Sequence, residues 1–93
     1  MDLKSELISF IKDLLESDTS YARLSETKIE SLVEECLKIP NNNEFTPPFR
    51  HGRSNSYAIL DSKGKLVKGF STHRNGRSKS KLFLKLLEYR FKS

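Results

Sequence analysis

The sequence predicts an α+β fold: a small single domain of 93 residues ordered α-α-β-β-α, with an N-terminal helical hairpin packed on a β-hairpin and a C-terminal helix. Three observations lead there. Apolar residues recur at spacings of three and four within residues 3–15, 29–37 and 82–87, the period of a helix with one buried face. Between the second and third of these stretches, two runs rich in aliphatic and aromatic residues flank a DSKG turn signal. A chain of this length also buries roughly 60–65% of the surface it exposes when unfolded, enough for one core and no second.

The first helix rests on Leu3, Leu7, Phe10 and Leu14, with Ile8, Ile11 and Leu15 widening the stripe. It is expected to end near Ser17-Asp18-Thr19-Ser20, whose side chains compete with a helix for backbone groups. For the second helix two starts compete. Ser25 can cap it, with Leu24 and Ile29 as a hydrophobic staple, or Thr27 can, with Glu30 completing a capping box. Ile29, Leu32, Val33, Cys36 and Leu37 form its buried stripe, Cys36 as a small core residue, and Pro40 ends it.

Residues 40–55, PNNNEFTPPFRHGRSN, carry no period and read as a linker or an ordered long loop between an acidic helical hairpin (1–39) and a basic β-hairpin plus helix (56–93). Phe45 and Phe49 either pin that loop to the core or stack on bases, as Tyr57 could. The hairpin strands are expected at Tyr57–Leu60 and Lys65–Phe70, with Gly64 left-handed in the turn. Pairing Leu60 with Lys65 and Ile59 with Leu66 puts Tyr57, Ile59, Leu66 and Phe70 on the core face. Ala58, Leu60 and Val67 make the other face partly apolar too, so there is room for a helix on each. A lone hairpin is not stable, so it must pack on the helices or gain a third strand. The last helix runs from Ser78 or Ser80 to Phe91 on Leu82, Phe83, Leu86 and Leu87.

Charge narrows the functional classes. Residues 1–49 hold five Lys/Arg against ten Asp/Glu, whereas residues 50–93 hold twelve against Asp61 and Glu88 alone. Such polarity points to a nucleic acid or another acidic surface as partner of the basic half. One cysteine excludes an internal disulfide framework and a cysteine-rich zinc site, and suits a reducing compartment. The first seventeen residues carry acids throughout and form neither a signal peptide nor a membrane span. A cytoplasmic protein is expected (nuclear in a eukaryote, host cytosol if viral), with no membrane partner. No P-loop, dinucleotide fingerprint or G-x-S-x-G is present, and no cofactor or metal is expected.

The stretch STHRNGRSKSKLF, residues 71–83, holds four Lys/Arg and His73 with no acid. Leading into a helix, it offers free N–H groups and the positive end of the macrodipole to an anion. Gly76 allows close approach, Ser78 adds a hydroxyl, and Arg74, Arg77, Lys79 and Lys81 add charge. Cations at a helix N-terminus oppose the macrodipole, at a few tenths of a kcal/mol each, so their placement there calls for a compensating role. The plain alternative is a solvated turn with serine caps. Arg50, His51 and Arg53 form a second basic cluster, and Lys63, Lys65 and Lys68 a third.

GRSKSKLFLKLLEYRF, after a hairpin and a preceding helix, is similar to the end of double-stranded-RNA-binding domains, where a G-x-S-K-K-x-x-K segment opens the final helix and touches phosphates. Gly76, Ser78 and Lys79 match, and Lys81 is near. Ser80 replaces the second adjacent lysine, Phe83 stands at the next, and the helix is rich in leucine and phenylalanine rather than small residues. The resemblance implies a three-stranded sheet where the sequence shows one clear hairpin.

The reading that follows is a non-catalytic nucleic-acid-binding protein, RNA or DNA undecided, using Arg74, Arg77, Lys79 and Lys81, then Arg50, Arg53, His73, Ser78, Gly76 and Lys68. The alternative is a small adaptor or inhibitor that docks on a larger protein, or a homodimer, through the acidic helical hairpin. A third reading is a metal-independent ribonuclease using His51 and His73 as acid and base, though nothing local fixes their mutual geometry.

Overall fold

Asp2 starts the first helix, α1 (Leu3–Ser17): its carboxylate accepts the Ser5 N–H at 2.7 Å, which holds its pKa below the usual value. The structure, a computed structural model, describes residues 2–21, 23–40, 44–45, 49–51, 54–73 and 79–91. α1 closes at the expected cluster, where the Asp18 N–H donates to the Leu14 carbonyl and the Asp18 carboxylate accepts from Ser20. α2 (Glu26–Leu37) settles the choice of cap for Ser25, whose Oγ accepts the Lys28 N–H at 3.3 Å.

Two short strands, β1 (Glu44–Phe45) and β2 (Phe49–His51), arise where a loop is expected. Both run antiparallel along one edge of β3 (Ser54–Leu60), β1 opposite Ile59 and Leu60 and β2 opposite Ser54 to Ser56. Between Phe45↔Ile59 and Phe49↔Ser56 the first strand advances four residues while β3 advances three, so the register steps by one. In the sequence this step falls at Thr46-Pro47-Pro48, and proline cannot donate to a ladder. β4 (Leu66–His73) pairs with the other edge of β3, giving a sheet three strands wide. The hairpin thus gains its third strand, and the α-α-β-β-α order stands with this edge added ahead of it.

The hairpin register differs from the expected one. Asp61 is the cause: its carboxylate accepts the N–H groups of both Lys63 and Lys65 at 2.9 Å, and its backbone bonds Lys65 across the loop. Three residues, Ser62 to Gly64, form the loop, with Gly64 at φ +80°. Leu60 therefore pairs with Leu66, and a bulge then sets Ile59 opposite Lys68 and Tyr57 opposite Phe70. Tyr57 and Ile59 are buried and Phe70 packs on the core as expected, but Leu66 is turned out and 60% exposed.

α3 (Lys79–Arg90) is the central element. Leu82, Phe83, Leu84, Leu86 and Leu87 are all buried, so the helix is apolar around most of its girth and lies between the α1–α2 pair and β4. Phe10 stacks on Tyr89 at 4.5 Å, and the Tyr89 hydroxyl donates to Glu6 at 2.7 Å. The Arg90 guanidinium donates to the Cys36 carbonyl, joining the ends of α3 and α2. Cys36 is fully buried, and burial pushes its thiol pKa up. The core lies on one face of the sheet. On the other, Ser56, Ala58 and Leu60 are half-buried and Leu66, Gly69 and Ser71 exposed, and among the described residues no helix covers this face.

Candidate nucleic-acid interface

α3 begins at Lys79, so Lys79, Ser80 and Lys81 occupy its first turn, where backbone N–H groups lack helical partners. The helix departs from β4 at the level of Lys68 to Phe70. Lys68, Gly69 and Phe70 line a cleft of about 280 Å³ together with Lys79, Ser80, Phe83 and, from α2, Leu32 and Glu35. Two of the basic residues singled out in the sequence, Lys68 and Lys79, thus meet at one opening. Lys79 is exposed, and Ser80 and Lys81 are half-buried.

Lys68 reaches this cleft because of the bulge before it. Paired with Ile59, it points to the helix side of the sheet, where its ammonium lies 5.0 Å over the Phe83 ring and 3.7 Å from the Glu35 carboxylate. Lys63 and Lys65 stay in the exposed turn at the far end of the hairpin, away from this cleft.

Register places the remaining candidates on different faces. Arg50 pairs with Asn55, and Asn55 with the buried Thr72, so Arg50 belongs to the helix side. His73, at the end of β4, shares a row with Ser54 and belongs to the open side. Arg53, Arg74, Gly76, Arg77 and Ser78 lie outside the described residues. Tyr57 is not available to stack on bases: it is buried, with its ring 5.1 Å from Phe70, which meets Phe83 edge-on at 5.3 Å.

Two acids of the acidic half pair with its own lysines. Lys4 bridges to Glu34 at 3.1 Å and Lys12 to Glu26 at 2.7 Å, both between α1 and α2. The Lys12 pair holds the Glu26 carboxyl below its ordinary pKa. Sequence reasoning missed Glu35 as a neighbour of the site. Its only local signal is its place beside the buried stripe of α2, and the strand it meets is set by tertiary packing.

No protein-family model, curated protein or solved structure matches the chain. Among the described residues no helix is long and apolar enough to cross a membrane.

Proposed function

We propose that the chain binds nucleic acid through phosphate contacts around the start of α3, with duplex RNA as its preferred ligand. The observation that carries this reading is the meeting of Lys68 and Lys79 at one cleft on the first turn of α3. That turn follows a stretch whose Lys/Arg run unopposed by any acid. The preference for RNA draws on the arrangement itself. A helix, an antiparallel sheet three strands wide and a final helix are what the resemblance of residues 76–91 to double-stranded-RNA-binding domains implies. A-form duplexes are held by shape, phosphate and 2′-hydroxyl contacts, which a basic surface suits.

Fluorescence anisotropy against matched duplex RNA, duplex DNA and single-stranded RNA, over a salt series, tests this. Engagement of about five phosphates gives a log–log salt slope near −4 to −5. No binding at low salt rejects the reading, and a preference for DNA or single strands rejects the choice of ligand.

The adaptor reading through the helical hairpin receives less support. The apolar stripes of α1 and α2 are spent on the core with α3, and among the described residues of these helices Leu3, 40% exposed, is the one large apolar side chain left in solvent.

A further inference from the structure

Among the described residues β4 pairs with β3 alone, and from Lys68 to His73 that pairing runs without interruption. The N–H and C=O groups along the other side of such an edge strand are a template for a further strand. Two clefts of about 280 Å³ each open against β4. One touches Lys68, Gly69 and Phe70, the other Val67 and Lys68. Side chains alternate along a strand, so a cleft over its face meets every second residue, and consecutive residues are reached together only along the edge. The two clefts also share Glu35 and Lys68, and so form one groove beside that edge.

The far wall of the groove is helical. It comes from the second half of α2 with Lys38 and Ile39 just after it, and from the start of α3. Leu32, Ile39 and Phe83 are buried and give the groove an apolar floor. Lys68 and Glu35 face each other midway, which leaves the exposed Lys38 at one end and the exposed Lys79 at the other as excess positive charge. Gly69 leaves the strand backbone bare between them. Its φ is not left-handed, and a Cβ there would meet only the Tyr57 carbonyl oxygen at an ordinary 3.7 Å, so nothing inside the fold calls for glycine.

We propose that this groove takes an extended, acidic segment of a partner protein, added to the sheet as a strand beside β4. Backbone groups of the segment pair with the β4 edge, its alternate apolar side chains enter the floor, and its acids answer Lys38 and Lys79. A second copy of the chain fits less well, because it would bring a groove of the same sign against this one. The segment is a second ligand, distinct from the RNA of the reading above, since a nucleic acid has no peptide backbone to extend the ladder. The groove ends at the opening where Lys68 and Lys79 meet, so a docked strand and a duplex exclude each other there.

The probe is a dye-labelled peptide of about seven residues alternating glutamate and valine, long enough to pass the roughly 13 Å from Val67 to Phe70. Fluorescence anisotropy with the full chain at low salt is expected to show a Kd below about 100 μM. Two further peptides, one N-methylated at its valines and one at its glutamates, separate strand pairing from charge attraction. The N–H groups that face one neighbouring strand belong to alternate residues, so one of these peptides should bind at least about ten-fold more weakly and the other nearly as the parent does. Lys38→Glu should weaken the parent peptide about ten-fold. Alternate amides from Lys68 to Thr72 should gain protection from hydrogen exchange when the peptide is bound. An equal response to both methylations, or no binding at about 1 mM, overturns the proposal. A dimer in sedimentation equilibrium that already protects those amides gives the edge to a second copy and overturns it too. RNA binding is measured without peptide, so either ligand can fail while the other stands.

Discussion

The ammonium of Lys68 lies 3.7 Å from the carboxylate of Glu35, so a cation of the basic half is tied to an acid of the acidic half at the mouth of the cleft that opens on α3. Both side chains remain between a third and a half exposed, which limits the pair to less than about 1 kcal/mol of stability. Its larger effect is on the field at the cleft. Glu35 draws Lys68 inward and opposes any phosphate that approaches Lys79.

Glu35→Gln is therefore expected to tighten binding of duplex RNA by about two- to five-fold at low salt, with the gain shrinking as salt is raised. Anisotropy titrations of the two proteins side by side measure this. Weaker binding by the glutamine variant would remove the cleft from the interface.

Replacing Arg74, Arg77, Lys79 and Lys81 together with alanine should weaken binding to every sequence alike and flatten the salt slope by about 3 to 4, because phosphate contacts carry no base information. The fold should persist, as Lys79 is exposed and Lys81 half-buried. Unchanged affinity with unchanged circular dichroism would show that the interface lies elsewhere.

Leu86 has no exposed surface, lies within α3 and belongs to the core cluster. Leu86→Ala should cost about 2–5 kcal/mol, combining lost transfer energy with a cavity. Urea unfolding provides the measurement. A loss below about 1 kcal/mol would contradict the central place of this helix.

The hairpin register depends on Asp61 and Gly64. Asp61→Ala removes two hydrogen bonds to backbone N–H groups and should cost about 1 kcal/mol. Gly64→Ala meets no neighbour within 4 Å, so its cost of roughly 1–2 kcal/mol comes from the left-handed backbone alone. A neutral result at both positions would mean that the loop does not set the register.

Burial raises the pKa of Cys36 above that of a free thiol, and Arg90 offsets this only in part. The folded state thus favours the neutral thiol. This stabilising contribution is complete below the unfolded thiol's pKa, near 8.5, and is lost as pH rises through the higher folded value. At pH 8 a disulfide reagent should modify Cys36 only as fast as the protein opens, and Leu86→Ala should accelerate the reaction. Immediate modification of the folded protein would show an accessible thiolate.

The sequence by itself determined the three helices, the hairpin, and the separation of charge into an acidic and a basic half. These are local or additive properties: spacing at the helical period, a turn signal between apolar runs, and a count of side chains. It also marked Lys79 and Lys81, because cations in the first turn of a helix break a local rule. What it did not determine depends on pairing between distant segments. The strands at 44–51 have little apolar alternation of their own, and β3 supplies the partners that make them an edge. The single-residue shift at Asp61 turned Leu66 to solvent, and the bulge before Lys68 restored the helix side to Lys68, where it meets Glu35. The placing of His51 and His73 in one row is the same kind of fact. Only the closing of three strands side by side, which fixes register across the sheet, brings together residues that the chain keeps apart.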